Sequence, residues 1–82
     1  MPLSFRVDEL VELPNGRVEA RVTVLVNGKP VATDSVVIPD ADKLSVAQAE
    51  GIIGDFVKGH KPKYQTRDTL SGLKGRTVVV EP

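Results

Sequence analysis

The chain has 82 residues, eleven basic and eleven acidic, with one histidine and no cysteine. These counts allow one domain around one core, and they exclude disulfides, thiolate zinc sites and a multi-histidine metal site within one chain. A chain of this length buries roughly 60% of its unfolded surface, and of the staples small domains add, oligomerisation is the one left open.

Two Asn-Gly dipeptides, Asn15-Gly16 and Asn27-Gly28, each sit between β-rich runs. Both residue types tolerate the positive φ that a type I′ hairpin turn requires at its two central positions. Two-residue turns at both sites predict a three-stranded antiparallel meander over residues 1–39. They set Val7 opposite Val24, Val11 opposite Ala20 and Leu13 opposite Val18, then Val24 opposite Val31 and Val18 opposite Val37. One face then collects Leu3, Phe5, Val7, Val11, Leu13, Val18, Ala20, Val22, Val24, Val26, Val31 and Val37. The other carries Arg6, Asp8, Glu12, Glu19, Arg21, Thr23 and Asp34, with Arg21 opposite Asp34 as a favourable cross-strand pair. Glu9 conflicts with this register, because it falls on the apolar face; a bulge there, or a partner covering that spot, would resolve it. Leu10, Leu25, Val36 and Ile38 project from the polar face, and such a branched cluster marks an expected protein-contact surface.

A helix is announced by Ser45-Val46-Ala47-Gln48, a capping box preceded by Leu44 as hydrophobic staple. Val46, Ala49, Ile52, Ile53, Phe56 and Val57 follow at helical spacing. The expectation is one helix in the segment 43–58, its apolar stripe on the sheet, ended by Gly59 and by Pro62. Gly51 and Gly54 each cost such a helix about 1 kcal/mol relative to alanine. Close approach of another backbone, from this sheet or a neighbouring subunit, is the expected compensation.

Residues 59–75 read as a basic loop, with at most a short helical turn over 66–73. A connection this long is commonly functional or mobile. Arg76-Thr77-Val78-Val79-Val80-Glu81 reads as a terminal strand within 76–82, able to cover an edge of its own sheet or to add to a neighbour's. The predicted fold is therefore α+β: a three-stranded antiparallel meander, one helix on one face, and a C-terminal strand on a long loop.

The balanced net charge hides a split: residues 1–57 carry −4 and residues 58–82 carry +4. Lys58, Lys61, Lys63, Tyr64, Arg67, Lys74 and Arg76 make a candidate nucleic-acid-binding segment, with lysine and arginine on phosphates and Tyr64 stacked on a base. The alternative is helix-end charge complementing the macrodipole, followed by a solvated loop. The open sheet face mixes both charge signs, which argues against strands reading DNA in the major groove.

Asp40-Ala41-Asp42 lacks the further ligands of a calcium loop and reads as turn chemistry ahead of a helix N-terminus. His60 is the one side chain suited to acid–base work near neutral pH, but no nucleophile motif or phosphate loop accompanies it. No catalytic residue, metal ligand or cofactor is expected. The start Met1-Pro2-Leu3-Ser4 lacks a signal-peptide pattern, and no apolar run is long enough to span a bilayer. The expected location is cytoplasmic, or a virion for a viral source, without a membrane partner. The first functional expectation is a non-catalytic protein-interaction or assembly module, a small virion component or adaptor subunit, binding copies of itself through Leu10, Leu25, Val36, Ile38, Val78 and Val80. The alternatives are nucleic-acid binding by the basic segment, and an enzyme whose site is shared between subunits.

Overall fold

Three antiparallel strands follow one another in chain and in space: β1 (Leu3–Glu12), β2 (Val18–Val26) and β3 (Lys29–Ile38), in the order β1-β2-β3. The computed structural model describes residues 2–81. The expected meander is present, and its register departs from the two-turn expectation at three places.

The first is the β1–β2 turn. A two-residue turn at Asn15-Gly16 would make Pro14 donate its N–H to Arg17, and proline has none. Leu13 donates to the Arg17 carbonyl instead, at 2.9 Å. Pro14–Gly16 become a three-residue 3₁₀ turn, with Asn15 at φ 66° and Gly16 at φ 73°. The pairing moves by one residue, so that Leu10 faces Ala20 and Glu12 faces Val18.

The second departure is a bulge at Asp8, the extra residue between the pairs Val7–Val22 and Glu9–Arg21. It reverses the alternation of β1. Leu3, Phe5 and Val7 return to the face of Val26, Val24 and Val22, while Glu9 leaves that face and lies 3.0 Å from Arg21. The conflict at Glu9 is thus resolved within the chain.

The third lies in β3. Asn27 (φ 53°) and Gly28 (φ 76°) form the expected two-residue turn, and Val26 pairs with Lys29. Pro30 then interrupts the ladder, and Val31 is bulged out before Val24 pairs with Ala32. Beyond it every side chain of β3 changes face relative to the two-turn register. Val36 and Ile38 enter the core, Asp34 faces Val22 rather than Arg21, and Val37 goes to the open face.

Helix α1 (Val46–Gly59) begins as expected. The Gln48 N–H donates to Ser45 Oγ at 3.1 Å, and the Ser45 N–H donates to Gln48 Oε1 at 2.9 Å. Ile53 and Val57 are buried, with Ala49, Ile52 and Phe56 packed beside them. The expected close approach at the helix glycines is absent among the described residues: a Cβ on Gly51 would meet nothing within 4 Å, and one on Gly54 would make an ordinary 3.9 Å contact with Phe5.

Helix α1 ends at Gly59, but the expected basic loop that follows is mostly a second helix. After His60, helix α2 runs Lys61–Ser71, with Pro62 in its first turn. Proline is tolerated there because the missing N–H has no intrahelical acceptor. Pro62 therefore opens a helix where the sequence suggested a stop. The core combines Ala20, Val22, Val24 and Val26 of the central strand with Val36, Ile38, Ile53, Val57 and Tyr64.

Beyond α2, a turn closes with the Arg76 N–H donating to the Leu73 carbonyl at 3.1 Å. Among the described residues, 77–81 pair with no strand. The molecule measures 62 × 24 × 17 Å, whereas a ten-residue strand spans only about 33 Å. The radius of gyration is 16.4 Å, against about 12 Å for a compact chain of this length. Residues 77–81 are exposed and lie outside the sheet.

Candidate functional site

Asp34, on the core-facing side of β3, holds α2 in place. Its Oδ2 accepts the Tyr64 hydroxyl at 2.5 Å and the Lys63 ammonium at 3.1 Å. Burial alone raises the Asp34 pKa; hydrogen bonds from Tyr64 and Lys63, with the charges of Lys63 and Arg67, outweigh it and hold the carboxyl below its ordinary value. Burial and then the Asp34 carboxylate push the Tyr64 phenol well above its usual value. Farther along α2, Ser71 Oγ lies 3.1 Å and Asp68 Oδ1 4.0 Å from the Lys29 ammonium. Helix α2 therefore runs back along β3 towards the β2–β3 turn.

These contacts redistribute the predicted nucleic-acid segment. Tyr64 is fully buried and presents no face for stacking, and Lys63 is committed to Asp34. Lys58, Lys61, Arg67, Lys74 and Arg76 are exposed. The His60 ring lies 4.3 Å from the Phe56 ring, with Nδ1 2.8 Å from the Phe56 carbonyl oxygen, and it joins the two helices. Among the described residues no group of three or more His, Asp or Glu is placed to hold a metal ion. No helix among them is long and apolar enough to cross a membrane.

The open sheet face is uncovered and polar. Arg6 Nε donates to Asp8 at 2.7 Å, and the Thr23 hydroxyl donates to the same carboxylate. These two hydrogen bonds, Thr23 first, lower the Asp8 pKa. Arg21 sits between Glu9 and Glu19, at 3.0 and 3.7 Å. Exposed ion pairs of this kind contribute at most about 1 kcal/mol each, and all the charges here have partners.

The expected cluster of Leu10, Leu25, Val36 and Ile38 does not form one surface. Val36 and Ile38 are buried at 5% and 3% exposure, and Leu25 is half-buried on the open face. Leu10, on the core-facing side of β1, is 63% exposed, and Val7, expected in the core, is 41% exposed. Leu3 and Phe5 at the other end of β1 do pack against the core. An apolar strip at the β1 edge therefore lies uncovered. Val78 and Val80 are exposed in the tail, and with Val79 they span 67% to 88% exposure. The Asp8 bulge and the Pro14 turn were the signals that would have placed Val7 and Leu10 side by side.

The fold is a three-stranded antiparallel sheet with two helices, an α+β architecture. No protein-family model, curated protein or solved structure matches the chain.

Proposed function

We propose that this chain is a non-catalytic protein-interaction module that assembles with copies of itself. The observation supporting this reading is the uncovered edge strand β1, whose core-side residues Val7 and Leu10 remain exposed. An unpaired edge with apolar side chains beside it is a template for another chain, and proteins that stay monomeric usually cover it. The exposed valines of the tail favour the same reading.

Nucleic-acid binding is the weaker reading. It loses Tyr64 and Lys63 to the core-side contact with Asp34 and keeps five scattered cations. The two readings differ in a simple measurement. Light scattering after size exclusion, with refractive index for concentration, should give a defined oligomer free of nucleic acid at micromolar chain concentration. A monomer throughout that range would overturn the assembly reading. Copurified nucleic acid lost in high salt would favour the other, since phosphate contacts are released with salt.

A further inference from the structure

The tail and the β1 edge carry complementary patterns. Val7 and Leu10 are three apart in sequence, yet they face Val22 and Ala20, which are two apart on β2. The Asp8 bulge absorbs the extra residue. Val7 and Leu10 are therefore neighbouring positions on one side of the edge, matching the spacing of Val78 and Val80 on an extended strand. Charge matches as well: β1 has Arg6 towards its start and Glu12 at its end, while the tail has Arg76 at its start and Glu81 at its end.

Resting on the assembly reading above, we propose that the segment Arg76–Glu81 of one copy adds antiparallel to the β1 edge of a second copy. In this register Val78 lies beside Leu10 and Val80 beside Val7. Arg76 comes beside Glu12 and Glu81 beside Arg6. The parallel alternative sets Arg76 towards Arg6 and Glu81 towards Glu12, and like charges side by side are unfavourable. Edge β3 offers less, because its core-side Val36 and Ile38 are already covered.

The donor must be another copy. Ser71 lies against Lys29, beside the β2–β3 turn. Glu12 pairs with Val18, at the opposite end of β2. The eight steps from Val26 to Val18 span about 26 Å, with two strand spacings of about 5 Å each to cross. Five residues from Ser71 to Arg76 reach at most about 18 Å, and the turn at Leu73–Arg76 shortens that. The chain cannot bring its own Arg76 beside its own Glu12.

The test compares four full-fold proteins by light scattering across a dilution series: the intact chain, a chain ending at Arg76, Arg6→Glu, and Arg6→Glu with Glu81→Arg. Urea unfolding of each confirms that the domain remains folded, as expected where the altered side chains lie outside the core. The expected result is an oligomer for the intact chain and a monomer for the truncated one. Arg6→Glu should weaken association roughly two- to fivefold, the range of a cross-strand charge pair, and the charge-swapped double variant should recover it. An intact chain that stays monomeric overturns the assembly reading and this inference together. An oligomer that persists after truncation, or is indifferent to the charge swap, overturns the tail-to-edge pairing and leaves the assembly reading standing.

Discussion

The Tyr64 hydroxyl donates to the Asp34 carboxylate at 2.5 Å, joining the first turn of a polar helix to a strand thirty positions earlier. Tyr64 is the one buried residue of α2, so this contact accounts for a helix that has no apolar stripe. A hydrogen bond to a charged group is worth about 1.5–3 kcal/mol, and Tyr64→Phe should lose that amount in urea unfolding. Asp34→Ala should cost at least as much, because it leaves the hydroxyl buried without an acceptor. The double variant should cost less than the sum of the two. Strictly additive losses would mean that the pair is not coupled.

The same pair sets the pH limits of stability. Asp34 titrates below its ordinary value of 3.8 in the folded chain. Its contribution is therefore present above the unfolded carboxyl pKa and is lost as pH falls through the lower folded value. Tyr64 titrates above its ordinary value of 10.0. Its contribution is complete below about pH 10 and declines as pH rises from there towards the folded value. Urea midpoints across the pH range should fall at both ends. Asp34→Asn should flatten the acid limb and Tyr64→Phe the alkaline one, with Asp8 supplying an acid dependence of the same sign.

What was legible in the sequence was the local chemistry. The Asn27-Gly28 turn, the capping box of Ser45 and Gln48, and the conflict at Glu9 all correspond to observed features, while at Asn15-Gly16 the reversal is present but the two-residue turn is not. What was missed is non-local or subtractive. Pro14 acts by an N–H it lacks, and Pro30 is followed by a bulge; the first moves Glu9–Glu12 by one residue and the second moves β3 from Ala32 onward. That is how Val36 and Ile38 pass from an expected surface to the core. Helix α2 escaped because its anchor is a tyrosine bonded to a distant aspartate, which leaves no helical repeat of apolar residues. The valines of the tail read as a strand because they are β-branched, yet a strand needs a partner and the described residues of this chain supply none.

Gly51 and Gly16 should respond in opposite directions to alanine. A Cβ on Gly51 meets open space, and its φ is ordinary for a helix. Gly51→Ala should therefore stabilise the fold by about 0.5–1 kcal/mol, by helix propensity. Gly16 has φ 73°, and a Cβ there would lie 3.1 Å from Asp42 Oδ1. Gly16→Ala should destabilise by about 1 kcal/mol or more. Chemical unfolding measured at a concentration where the chain is dilute tests both. If Gly51→Ala instead weakens self-association, the bare helix backbone is itself part of a contact between copies.

Leu10 and Ile38 separate core from contact surface most directly. Both project from the same side of the sheet, but Ile38 is 3% exposed and Leu10 63%. Ile38→Ala removes buried methyl groups and leaves a cavity, and such truncations cost about 2–5 kcal/mol. Leu10→Ala removes side-chain atoms that already meet solvent, and surface changes of this kind stay within about 0.5 kcal/mol. The expected pattern is a large fall in the urea midpoint for Ile38→Ala and almost none for Leu10→Ala. In light scattering the order should reverse, because Leu10→Ala deletes the apolar contact that the β1 edge offers to a second copy. Equal effects of the two variants on folding would mean that Leu10 is covered in the isolated chain, and the β1 edge would then have no uncovered apolar strip to recruit a partner.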